Sequence, residues 1–142
     1  MNNNFPKIFK THNEELGLEK RGVKVWIRKD GIWQIQIDKE WNEESMDSLI
    51  EVYKKTTQEQ TIKPKILVNI TYAAHIPSSL FRKKASVFAK EAARIFSFEK
   101  VALYGGGNIR KIIVSFIAKA AGLKNIKFFS TEEGALKWLK EG

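Results

Sequence analysis

The stretch 99–139 constrains this chain more than any other, because it reads as strand, glycine turn, helix, strand and capped helix with almost no spare residues. Residues 98–104 form a short apolar run. Gly105-Gly106-Gly107 breaks it, and Asn108 is placed to cap a helix in which Ile109, Ile112, Ile113, Phe116 and Ile117 recur at helical spacing. Gly122 stops that helix and residues 126–129 supply another strand. Ser130-Thr131-Glu132-Glu133 then has the spacing of a capping box ahead of Ala135, Leu136, Trp138 and Leu139. A βαβα unit of this economy calls for parallel strands, since the helix must carry the chain back along the sheet.

Upstream, Ile66-Leu67-Val68-Asn69-Ile70 is a continuous apolar run of the kind buried on both faces of a parallel sheet. Before it, Met46, Leu49, Ile50 and Tyr53 recur at i, i+3, i+4 and i+7, with acids at Glu43, Glu44 and Asp47 and bases at Lys54 and Lys55, the polarity that a helix dipole favours. Val23, Val25 and Ile27 alternate with polar or bulkier neighbours, as do Trp33, Ile35 and Ile37. Asp30-Gly31 between them predicts a type I′ hairpin turn. Residues 1–22 hold Phe5, Ile8, Phe9, Leu16 and Leu18 without a sustained period and are expected to form a partly ordered N-terminal arm. Residues 23–142 are then expected to form a single α/β domain. Its predicted order is β-β-α-β-α-β-α-β-α, a mixed sheet with a parallel core and an N-terminal antiparallel hairpin.

Composition narrows the chemistry. No cysteine is present and the histidines are His12 and His75, so disulfides, thiolate catalysis and most structural zinc sites are excluded and no metal or cofactor is expected. No apolar stretch approaches the ~20 residues of a membrane span, and residues 1–20 contain no run of signal-peptide length, so a cytoplasmic protein is expected. The net charge is +9. Residues 79–97 carry five bases against one acid, and residues 108–122 carry three against none. Such a surface suits anionic partners, although basic runs are more often solvated faces, and nucleic acid is not the expected partner.

Two constellations could carry function. The first is the turn of Gly105, Gly106, Gly107 and Asn108 with Arg110, where backbone N–H groups at a helix start could hold an anion. Its spacing matches neither a P-loop nor a dinucleotide fingerprint, and a tight, close-packed turn with no ligand is the more usual use of such glycines. The second is the loop after residues 66–70, at the carboxyl end of the central strand, with His75, Ser78, Ser79 and Arg82. Ser78 and Ser79 suit helix capping. His75 lacks the orienting acid that a triad requires, so no catalytic residue is assigned and the chain is expected not to be an enzyme.

The element order, the polar loop before Ser78-Ser79-Leu80-Phe81-Arg82, and the ending Lys127-Phe128-Phe129-Ser130-Thr131-Glu132-Glu133-Gly134-Ala135-Leu136-Lys137-Trp138-Leu139 resemble the SpoIIAA-like, or STAS/SEC14-like, domains of bacteria, over roughly residues 23–141. The resemblance implies a regulatory or protein-interaction domain with a protein partner, and it leaves open a homodimer. In the anti-sigma-factor antagonists of this fold a serine at the corresponding helix start is phosphorylated, which makes Ser78 and Ser79 candidate phosphorylation or interaction residues. The alternatives implied are an apolar small molecule or lipid, as in SEC14-like relatives, or weak binding of anionic polymers through the basic helices. If the glycine turn holds an anion, phosphate should shift the amide resonances of Gly106, Gly107 and Asn108, and Arg110→Glu should abolish the shifts.

Overall fold

The computed structural model describes residues 5–38, 43–57, 63–71, 98–105 and 125–141. They form strands β1 (Lys7–Lys10), β2 (Leu16–Lys20), β3 (Val23–Ile27) and β4 (Trp33–Ile37), helix α1 (Glu43–Thr57), strands β5 (Lys65–Asn69), β6 (Lys100–Tyr104) and β7 (Ile126–Phe129), and helix α2 (Glu132–Lys140). Among the described residues the strands make one seven-stranded sheet in chain order. β1 to β4 are antiparallel, and β4 to β7 are parallel.

Register explains the burial. Ile8, Leu18, Val25, Ile35, Val68, Leu103 and Phe128 stand opposite one another in a single row across all seven strands. Directly opposed residues share a face, so this row is one continuous apolar stripe. Val52 and Tyr53 of α1 complete that core, with α1 lying against β2 and β3. Side chains alternate along each strand, and the other face therefore receives Leu67, Ala102 and Tyr104. Ala135 and Leu139 of α2 cover them, with α2 against β5, β6 and β7.

α2 is fixed at both ends. The Thr131 hydroxyl accepts from the Gly134 N–H at 3.1 Å, which satisfies one of the free donors of the first turn. At the other end the Lys100 ammonium donates to the carbonyls of Trp138 (3.0 Å) and Glu141 (2.9 Å) and lies 4.9 Å from the Trp138 ring centre. A cation placed there neutralises the negative end of the helix dipole. The cap thus falls on Thr131, one residue later than the capping-box spacing of Ser130 and Glu133 predicts. In the observed frame the third helical position is Gly134, which has no side chain to reach back.

Two further expectations are corrected. The segment 1–22, expected as an arm, contributes two strands, so the described order opens with four strands before the first helix. Its strands are only four and five residues long. The even positions of β2 face one core, while Gly17 interrupts the other face. That glycine is required by space: a Cβ there would lie 2.6 Å from the Val25 carbonyl oxygen and 2.7 Å from both Phe9 and Trp26. The Phe9 and Trp26 rings consequently meet edge to face across it at 5.6 Å. The type I′ turn is also displaced. Arg21 (φ 49°) and Gly22 (φ 81°) form the two-residue turn between β2 and β3, whereas in the β3–β4 loop the positive φ belongs to Gly31 and not to Asp30. The helices expected within 79–97 and 108–122 lie outside the described residues.

Leu67 is fully buried between β5 and α2. Leu67→Ala should therefore cost about 2–5 kcal/mol in urea unfolding, whereas Ile8→Ala, at the exposed end of the apolar row, should cost less than about 0.5 kcal/mol.

Candidate functional site

The carboxyl ends of β5 and β6 are where an open sheet splays its loops. Here the Ile70 N–H still bonds the Tyr104 carbonyl at 3.0 Å, and the Thr71 N–H turns back onto the Asn69 side-chain oxygen at 2.9 Å. Gly105 has φ 98°, and a Cβ on it would stand 2.2 Å from the Thr71 hydroxyl oxygen and 2.7 Å from the Thr71 nitrogen. Packing alone thus demands this glycine, and the chain passes Thr71 as closely as a backbone can. Of the residues singled out in the glycine turn, Gly105 is described, while Gly106, Gly107, Asn108 and Arg110 lie outside the described residues, as do His75, Ser78, Ser79 and Arg82.

A polar cleft of about 420 Å³ opens on the α2 side of the sheet. Trp26 and Gln34 form its floor, the loop residues Thr11 to Asn13 one wall and Glu132 the other. Its charged groups are tied to each other. Arg28 pairs with Asp30 at 3.2 Å and Glu132 at 3.7 Å, and donates to the Gln34 side-chain oxygen at 3.3 Å. The Glu15 carboxylate accepts from the Thr11 hydroxyl (3.1 Å) and from the Lys29 backbone N–H (2.8 Å), joining two loops. Tyr104 lies beside the same cluster, near Gln34, Glu132 and Arg28. Burial pushes the Tyr104 hydroxyl up to about 12, and the nearby Glu132 charge adds to that, while Gln34 and Arg28 oppose it. An incoming ion would have to break these pairings, so the cluster works as a clasp between α2 and the β3–β4 hairpin.

The opposite face offers different chemistry. The apolar row is covered by α1 over β2 and β3 but reaches the sheet edge uncovered. Ile8 is 77% and Leu16 66% exposed. Together with Leu18, Val25, Ile27 and Thr56 they line a shallow apolar groove of about 250 Å³ between the end of α1 and β1. Lys10 stands opposite Leu16 on the same face. Glu51, the acid of α1 nearest this end, is bound by the Lys20 ammonium, whose hydrogen bond holds its carboxyl below the usual carboxylate range.

None of these groups stood out in the sequence. Glu132 is explained locally as a first-turn acid, and Arg28 as an outward residue of an alternating strand. Lys7-Ile8-Phe9-Lys10 did carry a usable signal, because lysines bracketing a short apolar pair are characteristic of sheet edges.

Tyr104 supplies a pH test. Its hydroxyl stays neutral in the folded protein above the ordinary value of 10, so the unfolded chain binds fewer protons as pH rises from 10 to about 12, and stability falls in that window. Tyr53, pushed to about 12 by burial, acts in the same direction. Urea midpoints measured across this range should fall, and Tyr104→Phe should make the decline shallower.

Among the described residues no helix is long and apolar enough to cross a membrane. No family model and no curated protein matches the sequence. Among solved structures, the chain is similar to the crystal structure of an uncharacterised protein of the DUF3478 family with a SpoIIAA-like fold, from Shewanella loihica PV-4. The match covers 98% of each chain, with a TM-score of 0.59 and 16% sequence identity. At that identity the likeness speaks for the fold, and the mixed sheet of this chain is a SpoIIAA-like fold.

Proposed function

We propose that this chain is a non-enzymatic interaction domain that meets a protein partner at the β1–β2 end of its sheet. The observation that carries this reading is the open end of the apolar row, where Ile8 and Leu16 remain in water beside a groove shaped by Leu18, Ile27 and Thr56. Covering each of those two side chains would contribute about 1.5–3 kcal/mol, enough for two anchors to make a specific contact. The polar cleft on the other face supports the same reading, since its charges already serve the fold.

The groove volume bears on the lipid alternative. Sites that enclose a small molecule run to about 300–1,000 Å³ and bury most of it, whereas this groove is about 250 Å³ and shallow, a size that suits inserted side chains. The loop of His75, Ser78, Ser79 and Arg82 enters the proposal only as a place where phosphorylation could regulate such a partner.

Affinity capture from extracts of the source cells, with wild type and with Ile8→Ser/Leu16→Ser compared side by side, tests the reading. Both proteins should give the same circular dichroism, and the variant should lose a specific protein by about tenfold or more, as expected from removing two apolar anchors. An unchanged set of captured proteins would overturn the proposal, and a lipid retained in a native mass spectrum of the wild type would favour the small-molecule reading.

A further inference from the structure

The partner's chemistry can be read from the edge strand itself. β1 is the last strand on its side of the sheet, so its outer row of N–H and C=O groups is paired with no strand among the described residues. Such an edge is a template for one more strand, and natural sheets protect it with charge. Lys7 and Lys10 lie at the two ends of β1, both exposed, with Ile8 and Phe9 between them. The row of residues to which Ile8 belongs is apolar in every strand, so the residue set beside Ile8 by an added strand would extend an apolar stripe.

Charge decides which strand fits. A second copy of this chain is a poor occupant. Pairing β1 antiparallel with the β1 of a second copy would gather Lys7 and Lys10 of both chains along one seam, where like charges repel. Two chains of net charge +9 would also repel. Two of the acids near this edge are engaged, and a third, Glu19, stands across the sheet from Lys7. Glu51 is held by Lys20, Glu15 by Thr11 and Lys29, and Glu19 lies 4.0 Å from Lys24. The basic character of the edge is therefore open to a partner's carboxylates.

Building on the interaction role proposed above, we infer that β1 docks an extended acidic segment of a partner protein, which adds as a further strand. Its backbone pairs with β1, an apolar side chain lies beside Ile8 over the groove, and its carboxylates meet Lys7 and Lys10.

The probe is a pair of capped octapeptides, one with a central Glu-Val-Val-Glu, whose spacing sets carboxylates opposite Lys7 and Lys10 and a valine opposite Ile8, and one with a central Lys-Val-Val-Lys, titrated into the isotope-labelled full chain. The acidic peptide should shift the amides of Lys7 to Lys10 and slow their hydrogen exchange. It should bind about tenfold more tightly than the basic one, as two lysine–carboxylate pairs warrant. Lys7→Glu/Lys10→Glu, at exposed positions that leave the fold intact, should reverse that preference, and added salt should weaken it. Equal affinity for the two peptides, shifts confined to other elements, or no binding of either at millimolar concentration would overturn the inference. So would a dimer in sedimentation that Ile8→Ser dissolves, since it would give the edge to a second copy. These failures are separable from that of the underlying role. A cellular partner still lost with Ile8→Ser/Leu16→Ser would keep the interaction domain and discard only the acidic strand.

Discussion

Leu67 and Val68 are neighbours in sequence that end up in different cores, and the whole architecture turns on that division. Along a strand the side-chain period is two, so β5 can feed both faces only if its register with β4 and β6 holds to the residue. A slip of one position would send Leu67 toward α1 and Val68 toward α2 and would shift every residue opposite them. The continuous apolar run at residues 66–70 tolerates such a slip in composition. The partners do not: Gln34 and Gln36 lie beside Leu67 and Asn69 in the sheet, and they cannot replace Trp33 and Ile35 under α1.

The two faces use polarity differently as a result. Over β5 to β7 both are apolar, and α2 covers one of them. Over β1 to β4 the α2-side face carries Lys24, Trp26, Gln34 and Gln36, held laterally by contacts such as Lys24 with Asp38 at 3.3 Å and Gln36 with Asp38 at 2.7 Å. That face is stabilised within its own surface and requires no helix above it. The α1-side face has no such lateral polar contacts at Ile8 and Leu16, and there the sheet ends in apolar surface.

Much of this was legible in the sequence. β5, β6, β7 and α2 followed from apolar runs bounded by glycine and by a hydroxyl cap, signals that span few residues and depend on nothing distant. The β1–β2 hairpin was missed because its evidence is distributed. Leu18 makes sense only opposite Ile8 and Val25, and Gly17 reads as a loop residue until Phe9 and Trp26 are seen to need the space above it. The turn chemistry misled for a related reason: Asp30-Gly31 has the residues of a type I′ turn, yet the two-residue loop formed at Arg21-Gly22, where the flanking strands dictated its length. The candidate sites fared similarly. The Arg28, Gln34, Tyr104 and Glu132 cluster draws on four separate elements, and no local spacing announces it.

α1 lies between β4 and β5 in the chain but rests on β2 and β3, the strands that precede it. The helix thus lands on a surface made entirely by residues already behind it. Strands β1 to β4 are joined by short turns and pair only with their chain neighbours, while β5 must close a connection of about twenty-seven residues to reach β4. The entropy of loop closure grows with that span, so the antiparallel meander and its helix are the portion with the lowest entropic barrier to assembly. On a ribosome they are also the portion that emerges first. The sheet can therefore be extended from an existing edge at β4, next to strands that α1 already covers.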